Sequence, residues 1–155
     1  MVDITRILTT ECTRVAVGAK SRKRTLEIAS DLIAARAPEI TSRALLDGLM
    51  SRERLGSTGL GDGIAIPHCR MPCRETLGAL LRLEAPVDFD AMDDQPVDLL
   101  FVLVVPPEET TAHLQTLAAL ARVFQSPAHR ATLRAQPSAA ALYETFVGLM
   151  RTEAA

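Results

Sequence analysis

The sequence predicts an α/β fold in which helices flank a mixed β-sheet within a single domain. Three observations predict it. Apolar, β-branched runs at Leu77 to Leu83 and Val97 to Val105 suit strands of a buried sheet. Segments with helical spacing of apolar residues precede and follow those runs. A third short apolar stretch, Ile64-Ala65-Ile66, lies too close to Leu77 for a helical crossover, so those two strands would pair antiparallel if they are neighbours. The 155 residues suit one domain, and no linker, repeat or shift of composition divides them. The expected domain is therefore 1–155, with a core over roughly 5–150.

Taken in order, Ile4, Ile7 and Leu8 mark a short helical turn, and Arg14 to Val17 a weak strand. Ser21 caps a helix carrying Leu26, Ala29 and Ile33 at helical spacing, and Pro38 ends that region. Thr41 caps a second helix with Leu45, Leu46, Leu49 and Met50 on one side, stopping before Gly56. After the strands, helices are predicted at Glu108 to Gln125, Pro127 to Ala135 and Ser138 to Leu149. Ser126-Pro127 is a well-formed helix start, a capping hydroxyl before a proline in the first turn.

Composition excludes several functions. A net charge of −2, one Tyr, four Phe and no Trp leave little for neutralising phosphates or stacking bases, so nucleic acid is not an expected partner. The longest strongly apolar run, Leu99 to Val105, is far short of a membrane span. No basic stretch followed by an apolar block marks a signal peptide. Three cysteines suggest a reducing compartment, and a cytoplasmic location is expected.

The segment from Gly56 to His68 differs in texture from the rest. It holds four of the chain's eight glycines within eight residues, Gly56 to Gly63, together with the hydroxyls of Ser57 and Thr58. Such a loop either turns the chain or lets backbone amides cradle an anion. It lacks the lysine of a Walker loop and the helix that follows a dinucleotide fingerprint. His68 follows directly on Pro67, where an apolar strand runs out, which places its imidazole at a rim. A neutral imidazole nitrogen is a good nucleophile, provided its partner nitrogen is held by a hydrogen bond. His113 lines up with Leu117, Leu120 and Phe124 on a helix and borders the buried stripe. Arg52 and Arg54 close the helix that feeds the glycine segment, with guanidinium groups suited to phosphate oxygens. Bland readings stand beside each: a boundary histidine, a solvated helix-end cation, a flexible turn.

The string from Arg52 to His68, with its Gly-Ser-Thr-Gly-x-Gly-x-Gly-Ile-Ala-Ile-Pro-His core, resembles the signature of mannitol/fructose-type enzyme IIA domains of the bacterial phosphotransferase system. Glu11 to Arg14, Phe89 to Phe101 and Ala112-His113-Leu114 add to the likeness, which is greatest to the nitrogen-regulatory branch. The resemblance implies an α/β sandwich around a mixed sheet. It implies that His68 is the phosphorylated histidine, that His113 supports it, and that Arg52 lies near the phosphate. Ser57, Thr58, Gly59 and Gly61 are then the candidate phosphate-binding residues. The implied donor is an HPr-like phosphocarrier, and regulated proteins are the implied targets. No metal or cofactor is expected, and the chain is expected as a monomer or weak dimer. The alternatives are a regulatory binding module without onward transfer, a component serving a separate sugar permease, and a degenerate domain. Cys69 and Cys73 are not part of the family pattern. Their role is left open: a redox-responsive thiol pair beside Arg70 and Arg74 is a minor reading, and zinc held by His68, Cys69, Cys73 and His113 ranks below it.

Overall fold

The segment Val97–Val105 (β6) is apolar on both of its faces, and burial follows: every residue of it except Asp98 is buried. A strand of that kind is stable only with sheet on both edges and helices on both faces. In the computed structural model, which describes residues 2–154, β6 is indeed central. The other elements are α1 (Ile4–Ile7), β1 (Thr13–Val17), α2 (Arg22–Ala34), α3 (Ser42–Leu55), β2 (Gly59–Gly61), β3 (Ile64–Ala65), β4 (His68–Arg70), β5 (Leu77–Val87), α4 (Thr110–Gln125), α5 (Pro127–Arg134) and α6 (Ala139–Ala154).

The strand order is β1-β5-β6-β3-β2, with β4 also on β6. Strands β5 and β6 form an antiparallel pair, whereas β1 on β5 and both β3 and β4 on β6 are parallel. The sheet is mixed, but not through the pairing the sequence suggested: the strands near Ile64 and Leu77 are separated by β6. The expected exit of a strand at His68 also needs correcting. Ile64–Ala65 lies against Leu99 and Leu100, the pairing breaks at Ile66-Pro67, and His68 to Arg70 resumes it against Leu103 to Val105. Proline has no N–H for the ladder, so the interruption falls where the donor is missing.

Helix starts match their capping residues. Ser21, Thr41 and Ser126 accept from the backbone N–H groups of Arg24, Ala44 and His129 at 3.0, 3.1 and 3.3 Å. Helices α2 and α3 pack together, as do α4, α5 and α6. On the second group's side, Phe101 stacks on Phe146 at 5.4 Å, and Gly78 leaves it room, since a Cβ there would stand 2.5 Å from the Phe101 ring. Strand β2 and helix α6 extend beyond the sequence expectation: Gly59–Gly61 pairs antiparallel with β3, and α6 runs on to Ala154.

Candidate active site at His68 and His113

The interruption at Ile66-Pro67 turns the Ile66 carbonyl toward the ring that follows it. His68 Nδ1 lies 2.8 Å from that oxygen. A carbonyl only accepts, so Nδ1 carries the proton and, in the neutral ring, Nε2 keeps its lone pair. Burial holds the His68 pKa below its ordinary value, reinforced by Arg52 and Arg70 and opposed by the Ile66 hydrogen bond and the Glu53 charge. The half-buried ring is therefore a neutral base with one free nitrogen.

Helix α4 brings His113 to it. The two ring centroids are 5.5 Å apart at an angle of 49°. His113 is 6% exposed, and its Nδ1 has no hydrogen-bond partner. Burial lowers its pKa as well, with further contributions from His68 and Arg70. Two imidazoles this close cannot both be cationic without mutual repulsion, so the pair is poised neutral.

A cleft of about 390 Å³ opens beside His68. Arg52, Ser57, Thr58, Gly59 and Leu60 form one wall, and Leu117, Ala118 and Ala121 of α4 the other. It has room for a phosphoryl group and the tip of a side chain delivering it. A groove of about 420 Å³ between α1, the segment Arg74 to Thr76 and α4 is lined by no imidazole. Arg52 comes from the last turn of α3, where Nη1 donates to the Gly56 carbonyl at 2.8 Å.

The glycine segment is built differently from an open cradle. Ser57 donates its hydroxyl to the Phe89 carbonyl and accepts from the Gly59 N–H at 3.0 Å. Buried Thr58 donates its hydroxyl to the Glu53 carboxylate. Both hydroxyls are thus turned into the scaffold. Gly59 is required by packing, since a Cβ there would lie 2.8 Å from that of Ala91. Gly63, with φ of 80°, sits where a Cβ would meet Arg134 at 2.5 Å. Gly61 lines a neighbouring groove with Phe124 and Arg130 and does not line the His68 cleft.

The thiol reading is reversed. Cys69 points to the opposite face of β4 from His68, where its sulfur lies under Gly48 of α3. Burial pushes its thiol up to about 12. Cys73 is pushed up to about 11 by burial and by Glu39, Glu108 and Glu109. Arg70 instead donates to the Pro107 carbonyl. Among the described residues no three His, Cys, Asp or Glu side chains converge on a metal-binding position. His129 directs Nδ1 to the Val123 carbonyl at 3.0 Å, a contact between helices.

Arg70 and Glu53 were missed as electrostatic neighbours of His68. Arg70 stands two residues on, the same-face spacing of a strand, a signal visible once β4 is recognised. Glu53 is one residue from Arg52 but faces inward, and nothing in the sequence marks it as buried.

The paired imidazoles, the interrupted strand and the mixed sheet define a histidine-centred α/β domain. The family model described as "Phosphoenolpyruvate-dependent sugar phosphotransferase system, EIIA 2" matches residues 6–147, and the chain belongs to that family. Within it, the chain is similar to the nitrogen regulatory protein of Pseudomonas aeruginosa, at 46% identity over 95% of this chain and 96% of that one. The nitrogen regulatory protein of Escherichia coli K12 is 42% identical over 92% of this chain and 88% of its own. Among solved structures, the nitrogen regulatory protein IIA-Ntr of Neisseria meningitidis superposes with a TM-score of 0.85 at 35% identity, covering 95% and 98% of the two chains. The Escherichia coli IIA mannitol structure shares the fold, with a TM-score of 0.71 at 18% identity over 92% and 98%.

Proposed function

We propose that this chain is one cytoplasmic phosphoryl-carrier domain of a nitrogen-regulatory phosphotransferase system, and that Nε2 of His68 holds the phosphate. The observation that carries the reading is the 2.8 Å contact of Nδ1 with the Ile66 carbonyl, which leaves Nε2 as the free nucleophile. The lone pair of Nε2 attacks the phosphorus of a phosphohistidine on an HPr-like donor. The P–N bond to the donor breaks as the new one forms, and its electron pair returns to the donor imidazole. Charge spreads over the three equatorial oxygens. His113 offers a ring N–H to one of them and Arg52 a guanidinium, so the site supplies position and donors in a cleft that partly excludes water. Gly59 shapes the wall, while Ser57 and Thr58 hold it in place. The half-exposed Leu60 on the cleft rim, 50% exposed, and Leu114 beside His113, 61% exposed, supply apolar surface for a protein donor.

Phosphorylation adds charge at this rim and changes which partner proteins fit it, which is how a carrier domain regulates. The names of the nitrogen regulatory relatives support that role. Among the described residues no helix is long and apolar enough to cross a membrane. The test is phosphorylation with phosphoenolpyruvate, enzyme I and an HPr-like protein, followed by partner capture with charged and uncharged protein. An acid-labile, base-stable label and a different set of partners for each form are expected. No label, or a label stable to acid, overturns the reading.

A further inference from the structure

Among the described residues Glu53 is the one buried carboxylate, with its side chain 1% exposed at the end of α3. Burying a carboxylate costs far more than burying an apolar group unless it is paired and hydrogen-bonded. Here one oxygen accepts the Thr58 hydroxyl, while the other lies 3.5 Å from Arg22 as an ion pair and makes no hydrogen bond. Arg22 is itself held over the Phe89 ring at 6.0 Å and beside Asp90 at 3.5 Å. What this node controls can be followed bond by bond. The Thr58 carbonyl accepts the Ile66 N–H at 3.1 Å, and the Ile66 carbonyl accepts from His68 Nδ1 at 2.8 Å.

We propose that Glu53 is a positioning residue for His68: by anchoring Thr58 it sets Ile66, whose carbonyl locks the imidazole in the Nδ1–H form. This rests on the reading of His68 as phosphoryl acceptor. Thr58 is then the link that transmits the anchor. The anchor acts through geometry, because the Glu53 charge itself favours a second proton on the imidazole and is outweighed by burial together with Arg52 and Arg70. An inward hydroxyl next to a site that handles phosphate has a reason: it gives up one donor to fix the tautomer of the nucleophile.

The experiment uses the full chain, unphosphorylated and labelled with ¹⁵N, and reads the His68 side-chain nitrogens in long-range ¹H–¹⁵N spectra. The wild type is expected to show a single Nδ1–H tautomer. Thr58→Val removes the hydroxyl but keeps the branched shape, and Glu53→Ala removes the anchor. Both are expected to give a mixture of tautomers and to slow phosphoryl acceptance about tenfold, the low end of the loss when the orienting partner of a metal-bound histidine is removed. Thr58→Ser is expected to restore the single tautomer, and the Glu53→Ala, Thr58→Val double variant to be no slower than either single one. Where Glu53→Ala fails to fold, Thr58→Val and Arg22→Met at its part-exposed position decide. A His68 that stays wholly Nδ1–H in those folded variants overturns the proposal. A tautomer shift in a protein whose wild type accepts no phosphate overturns the carrier reading and leaves the positioning role standing.

Discussion

The two histidines of the candidate site occupy opposite surroundings. His68 sits at a break in a sheet strand, half-buried, with one nitrogen tied to a backbone carbonyl and the other free. His113 sits on a helix and is almost fully buried, and its Nδ1 finds no partner at all. A nucleophile needs a defined lone pair facing the cleft. On the proposed reading a supporting donor needs a polar group not already committed elsewhere, and His113 Nδ1 has no hydrogen-bond partner among the described residues. On the proposed reading the same side chain serves two tasks because a strand and a helix offer it different neighbours.

The largest effect expected of any change to this pair is at His68. His68→Ala should abolish the acid-labile label while leaving the folded protein intact, measured by transfer from the HPr-like donor. A label of wild-type size in that variant would remove the asymmetry. Next comes His113→Ala, for which label should still form but about 10²-fold more slowly, as for loss of one preorganised donor. An unchanged rate would make His113 a packing residue. Arg52→Ala is expected to slow transfer roughly tenfold with a dependence on salt, because on the proposed reading its guanidinium meets phosphate from a part-exposed helix end; Arg52→Lys should recover part of the loss.

The smallest effect is on stability against pH. Both histidines have folded-state pKa values below the ordinary 6.5, with burial the largest cause. Well above a pH of about 6.5 they are neutral whether the chain is folded or not, and stability does not depend on them. As pH falls below that value the unfolded chain takes up protons that the folded one resists, so stability declines. Urea midpoints between pH 7.5 and 5.5 should fall in the wild type and fall less in His113→Gln. Equal slopes would mean that His113 is not held neutral by its burial.

Much of the fold was legible because its signals are local. Ser21, Thr41 and Ser126-Pro127 place helix starts within a residue, and the Val97 to Val105 run declares a strand covered on both faces. The short strands were not legible. Gly59–Gly61 and His68–Arg70 have no periodicity of their own over three residues and exist because hydrogen-bonding edges, of β3 and of β6, lie beside them. The thiols were misread for a related reason. Adjacent arginines in sequence suggested activation, but strand alternation turns Cys69 under a helix, and burial sets its pKa.

The chain's own residue pattern determined that helices would cover a buried sheet, because caps and apolar period act over a few residues. It offered His68, His113 and Arg52 only beside bland readings, and the resemblance of the glycine string implied their roles. Only the tertiary structure decided that the two imidazoles meet, which ring nitrogen is free, and that Ser57 and Thr58 face inward. Those outcomes depend on which strand edge and which carbonyl a side chain encounters after the chain has packed, and such encounters between distant segments leave no trace in local spacing.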